Sequence, residues 1–346
     1  MNFQIEDIYL GADHIPVVVT EIGINHGGSL TEAFKLVDIA ILSGAKIIKH
    51  QTHIPDAEMS LEAKKVIPGN ASKSIYDVIS ECALTLDEEI LLAKYIRNKK
   101  ATYISTPFSF EAIEFLESID VPAYKIGSGE CNNYPFVKEI ASKGKPVIMS
   151  TGMNSIKSIK PAVQILEDYK VPYALLHCTN LYPTPEKLIR LNAVNELARH
   201  FPKAVLGLSD HSTSNYPCLG AVALGASILE RHFTDSKDRV GPDIVCSMTP
   251  LELRELIDAS KIIYEASSGN KFPVEEELVT SAFAFASVVA TRNLPTGHIL
   301  TRSDITLKRP DGGDFGPIDF FSLVGRRTLK PIQENIQIKY DQIQND

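Results

Sequence analysis

The sequence predicts an α/β fold, namely a (β/α)8 barrel (TIM barrel) followed by a small C-terminal domain. Eight short apolar runs rich in β-branched residues alternate with amphipathic segments between residues 16 and 268. Polar and titratable residues follow all eight runs, as the carboxyl-terminal rim of an enzymatic barrel requires. The chain has 346 residues, which suits a barrel of about 250 residues and one further module.

The eight apolar runs are predicted to form parallel strands. Strands that alternate with helices lie parallel in one sheet, and eight of them close into a barrel. A doubly wound open sheet is the competing interpretation, but no GxGxxG motif follows the first run. The runs are 17–22, 46–50, 102–105, 123–126, 146–150, 173–177, 204–209 and 228–232.

Helix starts are predicted in the segments between the runs. Three residue pairs have capping-box spacing, in which a hydroxyl residue and a glutamate three positions later cap each other's backbone N–H. The first of these helices is predicted to end at Gly44. The pairs are Ser29 with Glu32, Thr85 with Glu88, and Thr249 with Glu252, the last with Pro250 at the first helical position.

The alternating pattern stops near residue 268, where a short polar stretch begins. Short strand-like pieces and turn residues follow from Phe283 onward. The predicted organisation is therefore a barrel over 1–268, a linker over 269–282 and a compact, loop-rich domain over 283–346.

Composition and charge narrow the function classes. Hydrophobic residues make up 44% and charged residues 23% of the chain, as in globular proteins. The net charge of −8, without a long lysine–arginine block, argues against a nucleic-acid partner. The sequence contains neither a membrane-spanning apolar stretch nor a secretory signal, and its five cysteines are scattered. We therefore expect a cytoplasmic protein with reduced thiols and no membrane partner.

The strand ends predict an anion site. Lys49 and Lys125 end the second and fourth runs, close to hydroxyl-bearing residues at neighbouring strand ends. Two cations among hydroxyls suit a phosphate together with a carboxylate. The GlySerGly turn at 127–129 lets backbone N–H groups approach an anion. The hydroxyl residues are Ser105, Thr106, Ser128 and Ser150.

The strand ends also predict a metal site. His211 and His232 end adjacent runs, so their imidazoles can share one divalent cation, with water and substrate oxygens completing its shell. Neither a structural zinc pattern nor an HExxH motif is present in the sequence. Four other histidines are interpreted as hydrogen-bonded or structural residues rather than ligands: His26, His50, His53 and His177.

Longer motifs resemble the bacterial N-acetylneuraminate (sialic acid) synthase family over essentially the whole chain. They include EIGINH (21–26), KHQTH (49–53), VIPGN (66–70), YKIGSGECNNYP (124–135), GLSDH (207–211), LERHFTD (229–235) and GPDIVCSM (241–248). The tail, with FAFASVV (283–289) and KRP (308–310), resembles the antifreeze-like (SAF, β-clip) domain of that family.

The resemblance implies a reaction and a set of residue roles. Phosphoenolpyruvate, N-acetylmannosamine and water would give N-acetylneuraminate and phosphate with Mn2+ or Mg2+, held by His211 and His232. Glu21 would position a water or a sugar hydroxyl. The residues that match phosphate and carboxylate positions are Lys49, Thr106, Lys125, Ser128, Ser150, Asn180 and Ser209. Those that match sugar or supporting positions are Gln51, Asn70, Glu130, Tyr182 and Asp243.

The resemblance also implies a domain-swapped homodimer, in which Arg309 of one chain reaches the sugar in the partner's barrel. Three alternatives stay open at this point. The first is a synthase of legionaminic or pseudaminic acid, or of the 9-phosphate. The second is a Schiff-base aldolase that uses Lys49 or Lys125. The third is a non-catalytic carbohydrate-binding protein.

Overall fold

The computed structural model describes residues 2–69 and 72–344. The chain divides into two compact units, Met1–Ser268 and Gly269–Asp346. The first unit contains a closed, eight-stranded parallel barrel, which confirms the predicted fold class. None of the helices in the described part of the chain is long and apolar enough to cross a membrane.

The chain opens with a β-hairpin that the sequence analysis missed. Strands β1 (Asn2–Ile5) and β2 (Ile8–Gly11) pair antiparallel. Phe3, Ile5 and Leu10 are buried in the same apolar cluster as the barrel interior. The hairpin therefore closes the amino-terminal end of the barrel and leaves the other end for chemistry.

All eight predicted runs form barrel strands, with ends within two residues of the predicted ones. Each strand pairs parallel with its neighbours in chain order, and the last pairs with the first to close the barrel. The strands are β3 (Val17–Glu21), β4 (Ile47–Thr52), β5 (Thr102–Pro107), β6 (Tyr124–Ile126), β7 (Val147–Ser150), β8 (Tyr173–Cys178), β9 (Val205–Ser209) and β10 (Ile228–His232).

Helices surround the barrel and bury one apolar face against it. The capping boxes at Thr85 and Thr249 form as predicted. At Ser29 only half of the predicted box forms. The Ser29 side chain accepts from the Glu32 backbone N–H, but the Glu32 carboxylate accepts from Lys35 and Arg239 instead of the Ser29 N–H. The helices are α1 (Leu30–Leu42), α2 (Pro55–Glu58), α3 (Ile75–Cys82), α4 (Leu86–Asn98), α5 (Phe110–Ser118), α6 (Tyr134–Ser142), α7 (Ile156–Asp168), α8 (Asn192–His200), α9 (Tyr216–Ala223) and α10 (Pro250–Ala266).

The second unit is small and rich in loops. Helix α11 (Leu278–Ala284) precedes two antiparallel strands, β11 (Ser287–Ala290) and β12 (Ile305–Lys308). The predicted linker, 269–282, contains helical residues from Glu275 onward. A separate apolar core holds this unit together, and it includes Val288, Leu294, Leu300, Ile305, Phe320 and Ile338.

Gly207 shows how tightly the barrel wall is packed. A Cβ atom at this position of β9 would lie 2.3 Å from the Leu176 side chain and 2.4 Å from the backbone oxygen of Ile228. The contact with the Ile228 oxygen cannot be relieved without moving β10, because that atom belongs to the backbone.

We therefore expect Gly207→Ala to lower the free energy of unfolding by about 3 kcal/mol. Urea titration followed by circular dichroism measures this loss. Gly129→Ala is the matched control, because a Cβ atom there meets nothing within 4 Å and should leave stability unchanged. Equal stability of the two variants would contradict the packing argument.

Candidate active site

The carboxyl-terminal rim of the barrel collects most of the residues that the sequence singled out. Asn70 lies outside the described residues. Arg309 belongs to the second unit, where it is exposed and directly follows β12. The strand ends and the loops that follow them carry the rest: Glu21, Lys49, Gln51, Thr106, Lys125, Ser128, Glu130, Ser150, Asn180, Tyr182, Ser209, His211, His232 and Asp243.

Lys49 lies inside the barrel with its ammonium group fully paired. It forms an ion pair with Glu21 and donates to Thr106 Oγ1 at 3.2 Å. Burial disfavours the charge of Lys49, but the carboxylates of Glu21 and Glu230 outweigh this effect and raise the pKa of Lys49. This lysine therefore stays cationic at neutral pH.

Lys125 is the second buried cation. It donates to Ser150 Oγ at 2.8 Å and lies 3.6 Å from Glu230, which also accepts from Ser209 at 3.0 Å. Burial and the charge of Lys49 lower the pKa of Lys125, against the pull of Glu230. Two cations and two carboxylates thus share one buried site, where each charge depends on the others.

Glu230 was not among the predicted site residues, although the sequence contained a signal for it. Side chains alternate between the two faces of a strand, so Glu230 and His232 of β10 face the same side. The assignment of His232 to the predicted metal site therefore implies that Glu230 faces the same site. The sequence does not show that Glu230 is the partner of Lys49 and Lys125, because only the folded barrel brings these three side chains together.

Glu21 has the properties of a proton-exchanging carboxyl group. Burial raises its pKa to about 7, with the charge of Glu230 adding to the effect and Lys49 opposing it. Gln51 Nε2 donates to Glu21 Oε1 at 3.0 Å. A carboxyl group with a pKa near neutrality can take up or release a proton at the pH of the cell.

A close approach of loops forms the side of the mouth near Lys125. The backbone N–H of Gly152 donates to Ser128 Oγ at 3.0 Å. A Cβ atom at Gly152 would lie 1.8 Å from Asn180 Oδ1, so only glycine leaves room for this amide. Ser128 and Asn180 therefore lie close together at this side of the mouth.

His211 and His232 lie next to each other at the opposite side of the mouth. Their ring centroids are 5.5 Å apart, and the ring of Tyr182 stacks on His211 at 4.0 Å. Burial lowers the pKa of His211 to about 4 and that of His232 to about 3. Both imidazoles are therefore neutral at pH 7, which is the form that binds metal ions.

The donor atoms of this pair fit a divalent transition ion. His211 Nδ1–H donates to the Thr179 carbonyl at 3.1 Å, which leaves the Nε2 lone pair free. His232 Nδ1 is buried and has no hydrogen-bond partner among the described residues. Imidazole nitrogens suit divalent transition ions better than Mg2+, which prefers oxygen ligands.

The protein supplies only part of a coordination shell. Within residues 2–69 and 72–344, no group of three or more His, Cys, Asp or Glu side chains is arranged to hold a metal ion. A cation at the histidine pair would therefore need oxygens from water or a bound substrate to complete its shell.

Arg231 stabilises the loops at the carboxyl-terminal rim of the barrel. Its guanidinium is fully buried, lies 3.4 Å from Asp210 and donates to Asn215 Oδ1 at 2.6 Å and to the Ser212 carbonyl at 2.7 Å. Asp210 in turn accepts from the Ser212 hydroxyl. The guanidinium also donates to the Cys246 carbonyl at 3.4 Å, so it ties together the loops that follow β9 and β10 and fixes the two histidines relative to each other.

A cavity of about 240 Å³ opens beside the histidine pair. Gln51, His53, Tyr182, His232 and Asp243 form its polar wall. Burial raises the pKa of Asp243 to about 6. None of the described residues that line it is lysine or arginine. The apolar wall consists of Ile24, Pro68, Ile75, Val78, Ile79, Phe108 and Pro242.

A larger cavity of about 740 Å³ lies at the other end of the barrel, beside the hairpin and α10. Its charged residues include exposed lysines and aspartates, such as Lys46, Lys100 and Asp258. The buried titratable groups with shifted pKa values cluster instead at the carboxyl-terminal rim. Shifted groups mark functional sites more reliably than volume, so we assign the site to the rim.

Comparison with known proteins identifies the family. A model of the NeuB family matches residues 36–271, and a model of the SAF domain matches residues 285–344. The chain belongs to the NeuB family. The second unit is thus the SAF domain that the resemblance implied.

Relatives of this NeuB-family member include named synthases. The N,N'-diacetyllegionaminic acid synthase of Campylobacter jejuni is 32% identical over 93% of this chain and 98% of its own length. The N-acetylneuraminate-9-phosphate synthase of Homo sapiens is 30% identical over 97% and 95%. A crystal structure of an N-acetylneuraminic acid synthetase from Leptospira borgpetersenii, in complex with citrate, superposes with a TM-score of 0.75 at 28% identity, covering 81% of this chain and 95% of that one.

The lowered pKa values of the histidine pair predict the pH dependence of stability. Below pH 6.5 the unfolded chain protonates both imidazoles, whereas the folded protein keeps them neutral until about pH 4 and 3. The unfolded state therefore binds more protons, and stability falls as the pH drops through this window. For His232 the loss between pH 6.5 and 5 is about 1.5 kcal/mol.

We expect His232→Asn to remove this share of the pH dependence in urea titrations with a chelator present. His200→Asn, at an exposed position, is the control and should keep the wild-type dependence. If His232→Asn also keeps it, the His232 imidazole is not held neutral in the folded protein.

Proposed function

We propose that this NeuB-family protein condenses phosphoenolpyruvate with N-acetylmannosamine and water to give N-acetylneuraminate and phosphate. The observation that carries the proposal is that one end of the barrel holds two buried lysines, a histidine pair and a cavity whose described lining contains neither lysine nor arginine. One part of the mouth suits a doubly anionic substrate, and the other part suits a neutral one.

Phosphoenolpyruvate is assigned to the lysine side. Its phosphate and carboxylate need cations and hydroxyl donors, and Lys49 and Lys125 lie among Thr106, Ser150 and Ser209. Ser128 and Asn180 approach from the adjacent loops. A charged ligand loses its hydration shell when it enters this buried site, and fixed donors of the protein take the place of the water. The ligand is therefore bound tightly and in one orientation.

The sugar is assigned to the cavity beside His232. Gln51, Tyr182 and Asp243 provide polar atoms for its hydroxyls, with Glu130 and Asn70 as further candidates from the resemblance. A phosphorylated sugar is best held by lysine or arginine, and the described lining contains neither. This supports an unphosphorylated sugar over the substrate of a 9-phosphate synthase. A legionaminic or pseudaminic acid precursor is the second candidate, because relatives of both kinds match the chain.

The proposed reaction forms one C–C bond and breaks one C–O bond. C3 of phosphoenolpyruvate attacks the aldehyde carbon of the open-chain sugar, water adds at C2, and phosphate leaves from C2. The water loses a proton, which the Glu21 carboxylate is placed to accept, and the former aldehyde oxygen gains one. Lys49 and Lys125 stabilise the negative charge that the phosphate gains when its bond to C2 breaks.

The histidine pair is assigned to Mn2+ or Mg2+. His211 and His232 would hold the ion, which when bound supplies positive charge that polarises the sugar aldehyde. Tyr182 stacks on His211 and keeps its ring in place. Arg231 keeps the two strand ends in register through its contacts with the Ser212 carbonyl in one loop and the Cys246 carbonyl in the other.

A homodimer with swapped SAF domains completes the proposal. Leu278, Val279, Phe283 and Phe285 are exposed apolar residues in or beside α11, a pattern typical of a surface that another protein surface covers. In such a dimer Arg309 would contribute to the sugar site of the partner chain, as the resemblance implies.

Phosphate release tests the reaction. We expect release that requires phosphoenolpyruvate, N-acetylmannosamine and Mn2+ together, and that stops on addition of EDTA. Comparison with N-acetylmannosamine 6-phosphate and a 2,4-diacetamido sugar identifies the preferred substrate by kcat/KM. Release that ignores the sugar or survives metal removal would exclude this mechanism, and pyruvate trapped by borohydride on Lys49 or Lys125 would favour the Schiff-base alternative.

Subunit complementation tests the shared site. Arg309→Ala and His232→Ala are each expected to lower activity at least about 100-fold by removing a substrate contact or a metal ligand. After subunit exchange, a mixture of the two should regain activity, because mixed dimers contain one intact site. If no activity reappears although exchange is shown by mass spectrometry, Arg309 does not act in the partner's barrel.

A further inference from the structure

One buried amide holds both ends of the loop that follows β10, residues 233–247 (the β10 loop). Asn25 Nδ2, from the loop after β3, donates to the Phe233 carbonyl at 2.8 Å and to Ser247 Oγ at 2.8 Å. Phe233 begins the β10 loop and pairs with Met248, directly after its end. The side chains of Asn25 and Ser247 are both buried. A single side chain thus bridges the start and the end of this loop.

The direction of each hydrogen bond follows from backbone carbonyl groups, which can only accept. The Phe233 carbonyl must face the NH2 group of Asn25, which fixes the orientation of the amide. The same nitrogen faces Ser247, and because an amide nitrogen only donates, Ser247 Oγ accepts. The hydroxyl proton of Ser247 is then donated to the Asp243 carbonyl at 2.7 Å. None of these hydrogen bonds depends on the protonation of a titratable group.

These hydrogen bonds end on a residue that lines the proposed sugar cavity. Asp243 and Pro242 belong to the β10 loop, and Ile24 directly precedes Asn25, and all three line that cavity. The amide therefore joins two loops that both contribute to the cavity wall. The Cys246 thiol also donates to the Asp243 carbonyl, at 3.3 Å, but a thiol is a weak donor.

The Asn25 amide carries a cost of its own. Asn25 Oδ1 is buried and has no hydrogen-bond partner among the described residues. A buried polar atom without a partner lowers stability, so the contacts of the NH2 group must offset this loss. They do so by holding Phe233 and Ser247 at the same time.

A second contact between the β10 loop and the β3 side of the barrel is partly exposed. Arg239, in the β10 loop, donates to the Glu32 carboxylate of α1 at 2.7 Å. The two side chains are 20% and 30% exposed. Ion pairs that water reaches contribute little to stability. The buried amide is therefore the contact that holds the loop in place.

We infer that Asn25 is a positioning residue that, through Ser247, holds Asp243 against the proposed sugar cavity. The anion site is built from Lys49 and Lys125 on β4 and β6, so it keeps its geometry when the β10 loop moves. Loss of the amide should therefore weaken binding of the sugar and spare binding of phosphoenolpyruvate. The inference rests on the proposed function for this substrate readout only.

Amide hydrogen exchange tests the closure of the loop without reference to the reaction. The backbone N–H groups of Thr234, Ser247 and Met248 form hydrogen bonds at the two ends of the β10 loop. We expect Asn25→Ala to speed their exchange at least about tenfold, while the barrel strands keep wild-type rates. Unchanged exchange at these three positions would overturn the inference. Ser247→Ala removes one hydroxyl only, and it gives the same test if Asn25→Ala does not fold.

Steady-state kinetics test the effect on the substrates. Asn25→Ala and Ser247→Ala should each raise KM for N-acetylmannosamine about tenfold, because a displaced Asp243 loses about one hydrogen bond to the sugar. KM for phosphoenolpyruvate should stay within about twofold of wild type. The double variant should be no worse than the weaker single one, because both act through the same contact. An equal rise in both KM values, or additive effects of the two changes, would overturn the inference.

Asn98→Ala is the matched control. Asn98 is the exposed last residue of α4, so its variant should behave as wild type in exchange and in kinetics. If the wild type releases no phosphate with any sugar, the proposed function fails. The exchange measurement alone then decides whether Asn25 holds the β10 loop.

Discussion

Two ammonium groups and two carboxylates share the interior of the barrel mouth, and the arrangement of the site depends on their mutual compensation. Lys49, Lys125, Glu21 and Glu230 are all buried, where an unpaired charge would cost several kcal/mol. Each is stabilised by the opposite charges across the mouth and by hydroxyls on the neighbouring strands. These charges come from four different strands, so they can meet only because the barrel closes.

The two ends of the barrel have separate tasks. Apolar side chains fill its interior, and the hairpin residues Phe3, Ile5 and Leu10 close the amino-terminal end. This apolar core supplies the stability that permits buried charged groups at the other end. The rim is in turn supported from outside, where Arg231 ties two loops and the capping residues fix the starts of the helices. The site is thus held on rigid elements.

Local patterns predicted the parts of the fold that depend on neighbouring residues. The eight strands were located because β-branched runs alternate with helical periodicity. The boxes at Thr85 and Thr249 were predicted because capping involves residues three apart. At Ser29 the same pattern was only half right, since Arg239, more than 200 residues away, competes for Glu32. The hairpin was missed because its short strands carry a weak signal.

The sequence by itself determined the barrel, the residues at its strand ends and the pairing of His211 with His232 at adjacent strands. It also determined, through its long motifs, membership of the NeuB family. Only the tertiary structure decided the charge relations among those residues. Glu230 as the partner of Lys125, and Glu21 as the partner of Lys49, follow from distances across strands. Electrostatic coupling depends on spatial separation and burial, and neither is written in the order of residues along the chain.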